Sequence, residues 1–394
     1  MRILILSADY ASYLTWLYRG TPNLEHASYA EQLNARVSSL FGIADFYPRN
    51  FTALGHDASQ IFVHNIWMQT AWAQERGMNV PLAPSPGEIG QDTDFVMHLK
   101  RRLRPYRDAL TPLAKKMGLV KAMSSTGRDI LLAQIEAFDP DVILNQDIEF
   151  VDSDFLRRIR RANRIIIAQH GGQVPDSFDP SPYTFGISLV PSIVETLRNK
   201  GLRTEYCHLA FDPSVLERLP PPPPKDIDVS FVGGLSSGHT QRIEMLEAVA
   251  RAVPVNLYLS NFKGIPKNSP LHAHARPEVW GRDMYDVLRR SKITLNSHID
   301  AAGGSAANMR LYEATGVGSF LLTDNLRNLS SLFQPGIHVG VYDSPSDCVA
   351  KIKYYLTHET AREEIAKAGQ QHTLQHHTYR HRTQQILELI DKYR

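Results

Sequence analysis

The sequence predicts an α/β protein built from two doubly wound parallel sheets. Three observations predict it. Short apolar runs of strand length alternate with helical patterns along most of the chain. Several of these runs, residues 3–6 and 165–168 among them, are apolar without interruption, which suits strands covered on both faces. Five consecutive prolines at 220–224 then break the pattern, and a second strand–helix series begins after them. Polyproline is stiff and lacks backbone donors, so it cannot continue a sheet and reads as a spacer. A chain of 394 residues suffices for two domains of ordinary size. The boundaries read as a first domain over 1–218, a linker over 219–225, a second domain over 226–378 and a terminal helix over 379–394.

The first strand, 3–6, is followed by a polar loop, Ser7 to Tyr10. No G-x-G-x-x-G follows it, which argues against a dinucleotide site there. The stretch to His26 reads as a long aromatic loop carrying Tyr10, Tyr13, Trp16 and Tyr18. Acceptor lining and the packing of a short helix are its two readings. Helices are expected over 28–40, up to Gly55, and over 66–74, with a strand over 60–63. Residues 79–92 form a Pro- and Gly-rich loop, 95–119 a helical hairpin, and 128–138 a helix stopped by Asp139-Pro140. Strands at 141–144, 165–168, 185–190 and 204–207 alternate with helices at 155–161 and 192–200. Beyond the prolines, strands at 227–232, 255–259, 293–296 and 339–342 alternate with helices at 241–253 and 285–290. Helices at 346–356, 359–371 and 379–393 close the chain.

Composition narrows the function. The chain is 43% hydrophobic and 21% charged, with a net charge of +2, as in a soluble globular protein. Its one dense basic run, 99–107, reads as a solvated helix face, so no nucleic-acid partner is expected. No run approaches the roughly 18 apolar residues of a membrane span. Cys207 and Cys348 are far apart and form no C-x-x-C pair, which fits a reducing cytoplasm.

The densest signal is Asn308 to Asp324, NMRLYEATGVGSFLLTD: a short helix, a glycine turn and a buried strand. Gly316 and Gly318 read as the helix stop, because glycine accepts a left-handed backbone. Asn308, Arg310 and Glu313 stand at the helix start, where a parallel sheet offers free N–H groups to an anion. This stretch resembles the nucleotide-sugar site of CgeB-like glycosyltransferases, a GT-B-fold family related to the group-4 glycosyltransferases. The pattern is N-x-R-L-[FY]-E-A-x-G-x-G-x-[FL]-L-L-T-[DE]. FVGG at 231–234, NLSSLFQPGIHVGVY and GQQHTLQHHTYRHR extend the likeness over the C-terminal half.

The resemblance implies two Rossmann-like domains facing a cleft, with the last helix crossing back onto the first domain. It implies a nucleoside-diphosphate-sugar donor and, for Glu313, hydrogen bonds from the ribose hydroxyls. Many group-4 enzymes carry a second glutamate eight positions upstream, near the transferred sugar; here that position is Ser305. Asn308, Arg310 and the small residues before them suit a diphosphate, as do Gly233, Gly234 and Arg242 after the first strand of the second domain. His298 follows a strand and suits contact with donor or acceptor. His170, after a buried strand, is the candidate general base, with Asp9, His26 and Asp147 as rivals. The D-x-D triplets at 92–94, 152–154 and 226–228 lie outside the Asn308 neighbourhood, and the tail histidines lack a completing ligand. No metal and no cofactor is therefore expected. The partners are a nucleotide-sugar donor and a glycan, protein or small-molecule acceptor. The rival readings are a nucleotide-sugar epimerase or hydrolase of the same fold, and a silent nucleotide-sugar-binding protein.

Overall fold

A computed structural model describes residues 1–86, 123–235, 239–262, 265–298 and 304–394. The expected hairpin at 95–119, the basic run at 99–107 and part of the 79–92 loop lie outside these residues. Two six-stranded sheets, parallel throughout, organise the chain.

The first sheet holds β1 (Arg2–Ser7), β2 (Asp57–Phe62), β3 (Val142–Asn145), β4 (Ile165–Gln169), β5 (Phe185–Ser188) and β6 (Thr204–Tyr206), in the order β2-β1-β3-β4-β5-β6. Ile3, Leu4, Ile5 and Leu6 are all buried, so β1 is covered on both faces and its continuous apolar run has its cause. The second sheet holds β7 (Ile227–Gly233), β8 (Asn256–Leu259), β9 (Ala275–Arg276), β10 (Ser291–Leu295), β11 (Leu321–Asp324) and β12 (Gly340–Tyr342), in the order β12-β11-β10-β7-β8-β9. Strand order reverses between β1 and β3, and again between β7 and β10. Crevices at such points, beyond the strand carboxyl ends, are where ligands of parallel sheets bind.

Two local expectations need correction. The aromatic stretch after β1 is a helix, Ala11–Gly20, and not a long loop. Tyr13 and Tyr18 are buried beside Trp67, so burial of an aromatic face won over loop signals, and only Tyr10 stays well exposed. Gly318 does take the left-handed backbone, with φ +76. Gly316 does not: it lies inside the helix Arg310–Gly316, and an added Cβ would stand 2.3 Å from the ring of Phe211. Close packing, not backbone freedom, requires glycine there.

One apolar core runs through both halves, from Ile3, Ile5 and Leu144 to Tyr285, Leu311 and Phe333. The helix Tyr379–Tyr393 crosses back and packs against the helix Phe46–Ala53 of the first half. Tyr379 meets Phe46 at 5.2 Å and Tyr47 edge-on at 5.0 Å between ring centres. The two chain crossings are tied together: Phe211 N donates to His377 O at 2.9 Å, and Tyr379 N donates to Phe211 O at 3.1 Å.

Histidines gather behind this crossing. His377 Nε2 lies 3.0 Å from the Leu332 carbonyl, and its ring is 6.2 Å from that of His208. Burial pushes His377 down to about 3 and His208 down to about 4. Each stays neutral when folded but takes a proton near pH 6.5 when unfolded. Their contribution to stability is whole above pH 6.5 and falls as the pH drops toward the folded values, by up to about 1.4 kcal/mol per pH unit for His377. The unfolding free energy of His377→Gln, which keeps an N–H for Leu332, is expected to fall less steeply than native between pH 6.5 and 4. Equal slopes would contradict this.

Candidate donor site

The loops after β7 and β10 flank the crevice of the second sheet. Gly233 ends β7 with Gly234 just past it, and Arg242 sits early on the helix Thr240–Ala252. Arg242 is buried, and its guanidinium donates to Gly234 O at 2.8 Å and to Ser297 O at 2.6 Å. It therefore binds the two loops to each other across the crevice. The role read from sequence is a phosphate contact; in the structure Nη1 and Nη2 hold the two loops.

Asn296 follows β10 and receives the side-chain N–H of Asn308 at 2.8 Å, while its own amide donates to Thr323 Oγ1 at 3.0 Å. The start of the Arg310–Gly316 helix is thus fastened to β10 and β11. Arg310 and Glu313, one helical turn apart, form an ion pair of 2.9 Å with side chains 13% and 8% exposed. Burial raises the Glu313 carboxyl, and Arg310 pulls it back. Arg310 also donates to Val232 O at 3.2 Å, which sets the pair at the end of β7. Ser305 is half-buried in the loop ahead of this helix. The neighbouring Ala306 is held at both its N–H (2.6 Å) and its carbonyl (3.1 Å) by Asn328, whose amide also reaches Tyr206 Oη of the first half at 3.3 Å.

His298 lies just past β10. Its Nδ1 is 2.6 Å from Asp324 Oδ1, and its backbone N donates to Asp324 Oδ2 at 2.9 Å. Burial raises the Asp324 carboxyl, but the bonds and charge of His298 outweigh it and hold the group below the usual carboxylate range. The second sheet therefore brings together Gly233, Gly234, Arg242, His298, Ser305, Asn308, Arg310 and Glu313. Asp324, Asn296 and Asn328 complete the arrangement, and the sequence reading gave them no role.

His170 stands apart, past β4 on the first sheet. Its Nε2 lies 3.3 Å from Gln173 O, and among the described contacts no carboxylate orients it. The rival bases fare differently. Asp9 is locked to Arg36 by a buried pair at 2.7 Å. Asp147 faces His64 at 3.0 Å and accepts the backbone N–H groups of Phe150 and Glu149. Burial pushes its carboxyl up, yet these bonds hold it below its ordinary value. His26 is exposed, 4.0 Å from Glu25. Across the junction of the halves, Tyr10 is 67% exposed, with its ring 6.0 Å from Phe41 and 6.3 Å from Trp280.

Comparison with solved structures decides the architecture. HepE of Anabaena, solved in complex with UDP-glucose, superposes with a TM-score of 0.56 at 13% identity, over 100% of both chains. The fold is GT-B. Sucrose-phosphate synthase of Thermosynechococcus elongatus shares this GT-B architecture at a TM-score of 0.55 and 10% identity, over 100% of this chain and 98% of that one. A putative UDP-N-acetylglucosamine 2-epimerase of Listeria monocytogenes does so at 0.52 and 9%, over 100% and 96%. In sequence, residues 241–388 match the family described as glycosyl transferase-like. No curated protein matches the chain in sequence. The matched segment contains Arg242, His298, Ser305, Asn308, Arg310, Glu313 and Asp324, while Gly233 and Gly234 precede it.

Proposed function

We propose that the chain moves a sugar from a nucleoside-diphosphate sugar to an acceptor hydroxyl, as a CgeB-like hexosyltransferase. One coincidence carries the reading. The segment matching the glycosyl transferase-like family contains the buried Arg310–Glu313 pair, set at the crevice of a GT-B sheet. The UDP-glucose complex of HepE supports a nucleotide-sugar donor. Glu313 accepts the ribose hydroxyls. Gly233, Gly234 and Asn308 let the diphosphate approach backbone, and Arg310, whose Nε is buried without a partner among the described residues, supplies charge to it. Ser305 faces the transferred sugar. Residues 1–218 supply the acceptor side and 226–378 the donor side, joined by 219–225; the terminal helix 379–394 braces them. The acceptor is a glycan, a protein or a small metabolite.

The proposal includes catalysis without a resident cofactor or divalent metal. The described D-x-D triplets are already engaged: Asp152 caps the helix Ser153–Ile159 and pairs with Arg128, Asp226 pairs with Arg290, and Asp228 with Lys292. Two buried, unbridged cysteines favour a cytoplasmic setting. Closing the cleft would keep water from the donor.

His170 is the proposed base, removing the proton of the acceptor hydroxyl as its oxygen attacks the anomeric carbon. His170→Ala is expected to lower turnover by about 10²-fold or more while donor affinity stays near native. Unchanged turnover would remove His170 from that role. Product analysis separates transfer from epimerisation, because only transfer releases nucleoside diphosphate in step with glycosylated acceptor.

A further inference from the structure

His298 carries an unanswered hydrogen-bonding atom. Its side chain is 3% exposed, and Nε2 is buried with no partner among the described residues. A buried polar atom without a partner is costly, and beside a ligand crevice a ligand atom can answer it. The ring cannot turn to relieve it. Asp324 accepts from both Nδ1 and the backbone N of the same histidine, and Thr323 Oγ1 donates to that carboxylate at 2.9 Å. With Nδ1–H directed at the carboxylate, Nε2 is the ring atom left for a ligand.

A hydroxyl pairs with Nε2 whichever of the two carries the proton, whereas a phosphate oxygen can only accept. On a nucleoside-diphosphate sugar the hydroxyls belong to the ribose and to the sugar, and the ribose is assigned to Glu313. We infer that His298 Nε2 shares a hydrogen bond with a hydroxyl of the transferred sugar, with Asp324 as the positioning residue that fixes the ring. This inference rests on the donor reading above and adds to it the atom that reads the sugar.

The test is calorimetric binding to native protein, His298→Ala, His298→Gln and Asp324→Asn. The probes are UDP with UDP-glucose, GDP with GDP-mannose, and dTDP with dTDP-glucose, keeping the pair that native protein binds. His298→Ala is expected to weaken the nucleotide sugar by about tenfold or more, leaving the free diphosphate near its native affinity. His298→Gln, whose amide oxygen still accepts, recovers part of the loss, and Asp324→Asn gives an intermediate loss confined to the nucleotide sugar. Equal losses on diphosphate and nucleotide sugar would move His298 to the phosphates and overturn the inference. So would unchanged affinity for both. Failure of native protein to bind any pair would overturn the donor reading itself, and this inference with it.

Discussion

Gly281→Ala is expected to lower the unfolding free energy by about 3 kcal/mol. Gly281 opens the helix Gly281–Arg290 with φ +53, and a Cβ there would stand 2.0 Å from the carbonyl oxygen of Ser39. That oxygen cannot retreat cheaply. It accepts the backbone N–H of Arg282 at 2.8 Å, and Arg282 Nε donates to Ser38 O at 2.6 Å. These bonds seat the second half on the end of the helix Tyr29–Ser38 in the first. The left-handed backbone costs a side chain about 1 kcal/mol, and overpacking against a fixed carbonyl adds roughly 1–3 kcal/mol. Urea denaturation of the two proteins measures the difference. A change below about 0.5 kcal/mol, the size of an ordinary surface substitution, would show that the junction is looser than its geometry.

Glu313→Gln is expected to weaken nucleoside diphosphate binding by roughly 10- to 100-fold. Hydrogen bonds to a charged group contribute about 1.5–3 kcal/mol, and 1.4 kcal/mol is tenfold in affinity. The substitution also leaves the Arg310 guanidinium without its buried counter-ion, so unliganded stability must be read beside affinity. Lower stability with unchanged affinity would restrict Glu313 to holding Arg310, and the ribose assignment would fall.

The fold was legible where chemistry repeats along the chain. Uninterrupted apolar runs marked the buried parallel strands, and the helix Ile66–Gln74 and the terminal helix were read to within a residue. The C-terminal crossing followed from the resemblance, not from periodicity. The helix Ala11–Gly20 was only one of two readings of its stretch, because burial competed there with loop signals, and β9 was missed because an edge strand of two residues shows no pattern. Arg310 and Glu313 were readable as neighbours because they lie one turn apart on one helix, with Asn308 just ahead of it. The partners that give the others their roles are remote in sequence. His298 meets Asp324 because β10 lies beside β11, with Leu295 level with Leu322. Arg242 reaches Ser297 because β7 lies beside β10, and Asp9 is neutralised by Arg36 from a packed helix. No spacing in the chain shows such pairs before the strand order is known.

The proposed function requires the crevice of the second sheet to bind a nucleoside diphosphate. Thermal melting with UDP, GDP, dTDP, ADP and CMP, with and without EDTA, measures that binding. A ligand that binds only the native state raises the melting temperature, by about 2.7 kcal/mol of added stability at a hundredfold excess over Kd. A rise with one diphosphate, unchanged by EDTA and lost in Glu313→Gln, is the predicted result. No rise with any of the five, at millimolar concentration, would contradict it.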